Sequence, residues 1–277
     1  MNILRIAAFS DGDTGGNPAG VAISDELPGD ARMQAIAAEV GFSETAFAAR
    51  AGDGWRVRYF SPETEVPFCG HATIALGAAL ALTRGDGVFA LDLNSAQITV
   101  EGRRHGNVVS AALQSPPTRA VKVEASLIEE ALPLFGYRLD DLDPRIPPAR
   151  IHAGADHLVL ALRTREALSR MKYDLGIGRT FMKREGFVTV LLVYADSDRL
   201  FHTRNPFASG GVYEDPATGA ATAAFAGYLR DLEWPHGGAI DVVQGEDMGM
   251  KSRLHADIPA IIGSSIRVSG TARVMNE

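Results

Sequence analysis

The side chains best suited to chemistry in this sequence are two carboxylates and one imidazole, those of Glu44, Asp215 and His71. Glu44 stands between Phe42 and Ala46 on one face of an alternating segment, and apolar neighbours favour the use of a carboxyl group as a general acid or base. Each residue also has a structural interpretation: an exposed strand-edge glutamate, an aspartate favoured by a helix dipole, and a buried or capping histidine. Together, the residue types predict proton transfer.

His71 and Asp215 lie in two stretches that repeat each other, residues 65–73 (EVPFCGHAT) and residues 214–222 (EDPATGAAT). Glu, Pro, Gly, Ala and Thr coincide at five of the nine aligned positions, and an Ala-rich run follows each stretch. The repeat predicts a tandem of two similar halves, each with a loop that turns into a helix.

Gly70 and Gly219 open the two predicted helices. The first turn of a helix has unpaired N–H groups and a partial positive charge, which together bind anions. One such motif more often only shapes a turn, but its duplication favours a binding role. We therefore expect the two helix starts to hold a small carboxylate in a cleft between the halves.

The two copies differ where chemistry is expected. Only the first copy has an imidazole, because His71 stands opposite Ala220. Only the second copy has a carboxylate just ahead of its helix, because Asp215 stands opposite Val66. A helix start favours neutral imidazole, which can donate or accept a proton.

Cys69 is the only cysteine of the chain, so an intrachain disulfide is excluded and a reducing cytosol is favoured. A racemase with two thiol bases needs a second cysteine, and Thr218 occupies the matching position. A thiol just before a helix can be reactive, but small buried cysteines are common. We interpret Cys69 as structural.

The runs after the two motifs indicate the fold. Residues 72–82 contain no charge, and a helix that is apolar on all sides must be buried on all sides. Residues 220–229 form the matching helix, and Arg230, Asp231 and Glu233 are expected to take its C-terminal end to solvent. We predict an α+β fold of two similar domains, residues 1–116 and 117–277, each a β-barrel-like rolled sheet around a central apolar helix.

The other predicted elements are mostly short strands rich in β-branched and aromatic residues. In the first half the strands are residues 3–9, 20–24, 44–48, 55–60, 88–93, 98–101 and 108–113. In the second half they are residues 158–162, 187–194, 199–204, 240–244 and 266–275. Further helices are predicted at residues 30–40, 126–134 and 165–171, and a turn-rich boundary at residues 114–118.

The composition excludes several classes of function. The net charge of -7, with no basic run, argues against nucleic acid or an anionic membrane as a partner. The sequence has no signal-peptide pattern and no run of 18 apolar residues, which predicts a cytoplasmic protein. Phosphate-binding glycine loops, zinc-ligand spacings and the G-x-S-x-G motif are absent from the sequence, so we expect no cofactor and no metal.

In combination, several motifs resemble those of the PhzF-like isomerase family of phenazine biosynthesis, over essentially the whole length. The motifs are GNPAGV from Gly16, SETAF from Ser43, RYFSP from Arg58, PFCGHAT from Pro67, EDPATG from Glu214 and QGEDMG from Gln244. The family is similar in fold to diaminopimelate epimerase, with two domains and an active site between them. The resemblance also favours a homodimer.

The resemblance implies a cofactor-free double-bond isomerisation in which Glu44 is the acid/base residue and His71 and Asp215 line the site. The residues expected to bind the substrate are Asn17, Ser43, Gly70, Thr218, Gly219 and Ala220. Ala220 stands where the family usually has serine, and Met250-Lys-Ser replaces Arg-Pro-Ser, so the substrate stays open.

Three hypotheses follow. The first is an isomerase or epimerase that moves a proton on a small carboxylate-bearing molecule. The second is a catalytically silent small-molecule-binding or protein-interaction protein of the same fold, which the loss of the serine at Ala220 supports. The third, weaker hypothesis is a dehydratase or epimerase that depends on Cys69.

Overall fold

The computed structural model describes residues 1–94 and 96–275. Its contacts divide the chain into two compact units. Unit 1 is Met1–Gln114 together with the described residues from Ser269 onward, and unit 2 is Ser115–Val268. The predicted domain boundary at residue 116 stays a prediction.

Unit 1 is a mixed sheet with two helices. Its strands are β1 (Ile3–Ala8), β2 (Asn17–Ser24), β3 (Thr45–Ala51), β4 (Gly54–Phe60), β5 (Glu65–Val66), β6 (Gly87–Asp92), β7 (Gln97–His105) and β8 (Val108–Pro117). The helices are α1 (Asp30–Val40) and α2 (Gly70–Arg84). The strand order is β1-β2-β3-β4-β6-β7-β8, with β5 paired to β4.

The sheet of unit 1 wraps around α2. The helix contacts β1, β2 and β3 at one end of the strand order and β6 and β7 near the other end. Every residue of α2 from His71 to Ala81 is buried, which confirms the prediction of a helix enclosed on all sides. Glycine permits the close approach: a Cβ on Gly102 of β7 would lie 2.2 Å from the carbonyl oxygen of Gly77.

Unit 2 has the same kind of architecture. Its strands are β9 (Arg119–Lys122), β10 (Ala149–His152), β11 (Asp156–Leu162), β12 (Thr189–Ala195), β13 (Leu200–Arg204), β14 (Pro206–Phe207), β15 (Val212–Glu214), β16 (Ala239–Gln244), β17 (Ser252–Asp257) and β18 (Ser265–Val274), whose last residues belong to unit 1. The helices are α3 (Ala125–Leu134), α4 (Arg165–Ser169), α5 (Leu175–Glu185) and α6 (Gly219–Asp231). The central helix is α6, which contacts β9, β10, β11, β16 and β17.

The prediction that the C-terminal end of α6 reaches solvent is confirmed for Asp231 and Glu233, which are exposed, and is wrong for Arg230. The Arg230 side chain is 4% exposed. The guanidinium donates hydrogen bonds to Thr118 Oγ1 at 2.7 Å and to Ser264. The charge is buried because hydroxyl and carbonyl oxygens replace the water that it loses.

Strand pairing repeats between the units, as the duplicated motif predicts. In unit 1 the parallel pair β2–β3 is connected through α1, and the parallel pair β4–β6 is connected through α2. In unit 2 the parallel pair β11–β12 is connected through α4 and α5, and the parallel pair β13–β16 through α6. Each central helix is thus the crossover of a parallel strand pair, in keeping with the length such a connection needs.

Most predicted strands and helices are present, with ends shifted by a few residues. The turn predicted at residues 114–118 is wrong, because β8 continues to Pro117. The strand predicted to begin at Glu44 begins at Thr45 instead. Among the described residues, no helix combines the length and the hydropathy needed to cross a membrane.

Candidate active site

Glu44 occupies the residue immediately before β3. Its carbonyl accepts a hydrogen bond from the backbone N–H of Gly20 at 3.1 Å, which anchors it to β2. A Cβ on Gly20 would lie 2.7 Å from Thr45 Oγ1, so this close approach requires glycine. The Glu44 side chain is 13% exposed, which excludes the interpretation of an exposed strand-edge residue.

His71 lies in the first turn of α2, and only 6% of the residue is exposed. Cys69 is the N-cap residue, and its carbonyl accepts hydrogen bonds from the backbone N–H of Thr73 at 3.0 Å and from Thr73 Oγ1 at 2.7 Å. The Thr73 hydroxyl is also 2.7 Å from the hydroxyl of Tyr59 on β4. Burial raises the pKa of Tyr59, so it remains a neutral partner that fixes the helix start to the sheet.

The predicted residues of unit 1 converge on this imidazole. His71 Nε2 lies 3.4 Å from Glu44 Oε2 and 3.4 Å from Ser43 Oγ. The other ring nitrogen, Nδ1, lies 3.3 Å from Cys69 Sγ. Gly70 is the first residue of α2, between Cys69 and His71. A carboxylate within reach of a buried imidazole is an arrangement that can exchange a proton with a bound molecule.

The same residues include the donor types that bind transition metals. Donor atoms of Glu44, Cys69 and His71 all lie within 4.8 Å of one another. A carboxylate, a thiolate and an imidazole are all ligands of zinc. The predicted absence of a metal stays a prediction.

The glutamate that opens the first repeat motif is held by an arginine of β4. Arg58 Nε donates to Glu65 Oε1 at 2.7 Å, and Nη2 donates to Oε2 at 2.6 Å. This hydrogen bonding holds the pKa of the Glu65 carboxyl below its usual value. The bidentate pair fixes the start of the loop that leads to His71.

The glutamate that opens the second motif is held in the same way. Arg204 Nε donates to Glu214 Oε1 at 3.0 Å, and Nη2 donates to Oε2 at 2.6 Å. The two side chains are only 8% and 3% exposed. Neither Arg58 nor Arg204 is among the residues predicted for the site. Their role could be predicted from the sequence, because the two glutamates coincide in the two copies of the motif and a buried carboxylate needs a charged partner.

In unit 2 the predicted residues form a second connected group. The hydroxyl of Thr218 donates to Asp215 Oδ2, and Gln244 Oε1 accepts from the backbone N–H of Thr218 at 3.1 Å. Gln244 Nε2 donates to the carbonyl of Asp215 at 2.7 Å. Gly219 and Ala220 are the first two residues of α6 and are partly exposed, as Thr218 and Asp215 are.

Two further buried residues, Gln244 and Asn17, lie near the candidate site residues. Gln244 is fully buried, and its hydrogen bonds order the loop ahead of α6. It is not among the predicted site residues, although it opens the QGEDMG motif. Asn17, predicted to bind substrate, is the first residue of β2 and is 2% exposed. It precedes by three residues the glycine that anchors Glu44. Its role in binding stays a prediction.

Solved structures share this fold. The PhzF-family phenazine biosynthesis protein of Bacillus anthracis has a TM-score of 0.85 at 22% identity, over 99% of this chain and 96% of that chain. A probable proline racemase from Agrobacterium radiobacter has a TM-score of 0.64 at 10% identity, over 99% of this chain and 91% of that chain. The predicted α+β fold class is confirmed, and it is one that racemases share.

Sequence relatives are named as isomerases. An uncharacterized isomerase of Mesorhizobium japonicum is 28% identical over 290 residues, which is 98% of this chain and 95% of the relative. The trans-2,3-dihydro-3-hydroxyanthranilate isomerase of Pseudomonas aeruginosa is 32% identical over 261 residues, which is 91% of this chain and 88% of the relative. The protein is therefore an enzyme of the isomerase or epimerase class.

The family profile of phenazine biosynthesis-like proteins (PhzC-PhzF) matches residues 6–277. The chain belongs to this family, and the resemblance found in its motifs is confirmed. The membership favours the enzyme hypothesis over that of a catalytically silent protein.

Proposed function

We propose that the protein is an isomerase that moves a proton on a small carboxylate-bearing substrate without a cofactor, with Glu44 as the acid/base residue. The observation that supports this most strongly is the shielded contact of 3.4 Å between Glu44 Oε2 and His71 Nε2 at the start of α2. A carboxylate that is mostly removed from water and fixed by its backbone keeps one geometry through a reaction cycle.

The proposed reaction is balanced in protons and involves no oxidation. The Glu44 carboxylate takes a proton from a substrate carbon next to an activating group and becomes a carboxylic acid. The acid returns that proton to another carbon, which shifts the double bond, or to the other face of the same carbon, which inverts it. His71 orients Glu44 and exchanges the proton with it.

The start of α2 is proposed to bind the carboxylate of the substrate. The first hydrogen bond of the helix runs from the N–H of Thr73 to the carbonyl of Cys69, so the N–H groups of Gly70, His71 and Ala72 precede it. Such N–H groups and the helix dipole favour an anion.

Asp215, Thr218 and the start of α6 present a similar set of groups in unit 2. The prediction that they serve the same substrate comes from the repeat and stays a prediction. Ala220 offers no hydroxyl where the family usually has serine. We therefore propose that the substrate differs from trans-2,3-dihydro-3-hydroxyanthranilate, the compound named for the Pseudomonas aeruginosa relative.

Proton NMR in D₂O, with a panel of cyclic and amino-substituted carboxylic acids, tests the function. The panel includes trans-2,3-dihydro-3-hydroxyanthranilate. The proposal expects enzyme-dependent deuterium incorporation into a carboxylic acid of the panel, with slower exchange for the dihydro-hydroxyanthranilate. Line broadening that shows binding, without exchange in any compound, would contradict the proposed reaction.

A further inference from the structure

We propose that Glu44, Cys69 and His71 also form a binding site for Zn²⁺, and that an ion in this site stops proton transfer. The binding part stands on the geometry of unit 1 alone. The inhibitory part rests on the proposed function, because it requires Glu44 to be the acid/base residue.

The separations of the donor atoms suit one ion. Zinc bonds of about 2.0 Å to nitrogen or oxygen and about 2.3 Å to sulfur place tetrahedral donors about 3.3 to 3.6 Å apart. His71 Nε2 lies 3.4 Å from Glu44 Oε2 and 4.0 Å from Cys69 Sγ. Cys69 Sγ lies closer to the other ring nitrogen, at 3.3 Å from Nδ1, so a rotation of the Cys69 side chain is needed to bring its sulfur to an ion held by Nε2 and Oε2.

The backbone holds these donors without the help of an ion. Cys69 is fixed by the two hydrogen bonds from Thr73, and Glu44 is fixed by the hydrogen bond from Gly20. His71 is held within a buried helix turn. Because the backbone that carries the three ligands is already fixed, only side-chain rotations are lost when the ion binds, which favours affinity.

The charges and protons balance for a divalent ion. Zn²⁺ bonds to the sulfur of Cys69, whose proton leaves to solvent, and the carboxylate of Glu44 supplies the second negative charge. The complex of the ion with these two ligands and neutral His71 has no net charge. Three protein ligands leave a fourth position for water, as in zinc sites that remain open.

An ion at this place would occupy the atoms that the proposed reaction uses. Glu44 Oε2 would be bonded to the metal and unable to take a proton from carbon, and His71 Nε2 would be bonded as well. Zinc would therefore act as a reversible inhibitor that a chelator removes.

Cobalt(II) titration of the purified protein without a histidine tag tests binding directly. A thiolate-to-cobalt charge-transfer band that saturates at one ion per chain is expected, and Zn²⁺ should displace it. Cys69→Ser should abolish the band, and His71→Ala should weaken Zn²⁺ binding measured by calorimetry by more than about tenfold. Circular dichroism spectra of both variants should match that of the wild type, which checks that they are folded.

His255→Ala is the matched control. His255 is a surface histidine placed between the carboxylates of Asp241 and Asp257, at 2.7 and 3.2 Å. The cobalt band and the zinc affinity should be unchanged in this variant. Absence of the band in wild type, or its persistence in folded Cys69→Ser, would overturn the site.

Deuterium exchange with and without Zn²⁺ separates the two parts of the proposal. Inhibition of deuterium exchange is expected to increase with zinc occupancy and to be reversed by EDTA. The exchange rate of each variant with Zn²⁺ is compared with the rate of the same variant without metal. Zinc binding without inhibition of an active enzyme overturns the inhibitory part. If the protein shows the cobalt band but exchanges deuterium into no substrate, the proposed function fails while the metal site remains supported.

Discussion

Arg204 and Glu214 form a bidentate ion pair inside unit 2, and the next residue after Glu214 is the candidate site residue Asp215. In unit 1, Arg58 and Glu65 form the corresponding pair ahead of His71. The two copies of the motif therefore share a positioning device as well as a sequence. The pair in unit 2 is the more buried one, which makes it the more sensitive to substitution.

Arg204→Met should destabilise the protein by about 3 to 5 kcal/mol, because Glu214 would keep an unpaired charge in a buried place. The double variant Arg204→Met/Glu214→Leu should recover a large part of this loss. Thermal unfolding followed by circular dichroism measures both effects.

The exposed pair Arg184–Glu130 provides the control for this prediction, since its side chains are 50% and 47% exposed. Glu130→Gln should not change the unfolding temperature measurably. A double variant no more stable than Arg204→Met alone would contradict the account of an unpaired charge.

Gly102→Ala should destabilise unit 1 by at least about 1 to 3 kcal/mol, because the new methyl group would collide with the backbone of α2. The added Cβ would lie 2.2 Å from Gly77 O, and backbone cannot give way as a flexible side chain can. Gly29→Ala is the control, because a Cβ there meets nothing within 4 Å and the φ of Gly29 is -64°. Urea unfolding distinguishes the variants, and equal stability of the two would refute the tight packing of α2.

His157 should make stability fall as the pH is lowered. Burial lowers its pKa from 6.5 to about 4, its Nδ1 lies 2.7 Å from Thr189 Oγ1, and its Nε2 has no hydrogen-bond partner within the described chain. Below pH 6.5 the unfolded chain binds a proton that the folded chain refuses until about pH 4. The free energy of unfolding should therefore fall by about 3 kcal/mol over this window.

His157→Gln should remove this contribution, since glutamine does not titrate and can still bond to Thr189. Chemical unfolding of wild type and variant at a series of pH values between 4 and 7 measures the difference in slope. Parallel pH profiles would show that His157 is not the group responsible.

The helices and strands that can be predicted best from the sequence are those whose ends or faces are determined by residues close in the chain. Helix α1 has the predicted bounds, Asp30–Val40, because Gly41 ends it in the left-handed conformation with φ of 72°. Helix α2 was recognised because it lacks a polar face. Helix α5 was missed because Gly176 and Gly178 lower its helix propensity. The structure explains Gly178, since a Cβ there would lie 2.6 Å from the ring of Tyr173.

The site was predictable in its residue types but not in its partners. The motifs indicate Glu44, His71 and Asp215, yet only the folded chain brings the Cys69 thiol to 3.3 Å from Nδ1 and 4.0 Å from Nε2 of His71. The sequence predicts Arg230 at the surface because charged side chains are usually exposed. Only the tertiary structure brings the oxygens of Thr118 and Ser264 to its guanidinium and so allows its burial.

The central claim is that Glu44 transfers the proton, and deuterium incorporation by Glu44→Gln in D₂O tests it most directly. Glutamine keeps the size of the side chain but cannot take a proton from carbon. The initial rate of incorporation into a substrate of the wild type is expected to fall by about 10² to 10⁴-fold, while the circular dichroism spectrum and the unfolding temperature stay close to those of the wild type. Incorporation at the wild-type rate by the folded variant would contradict the assignment of Glu44.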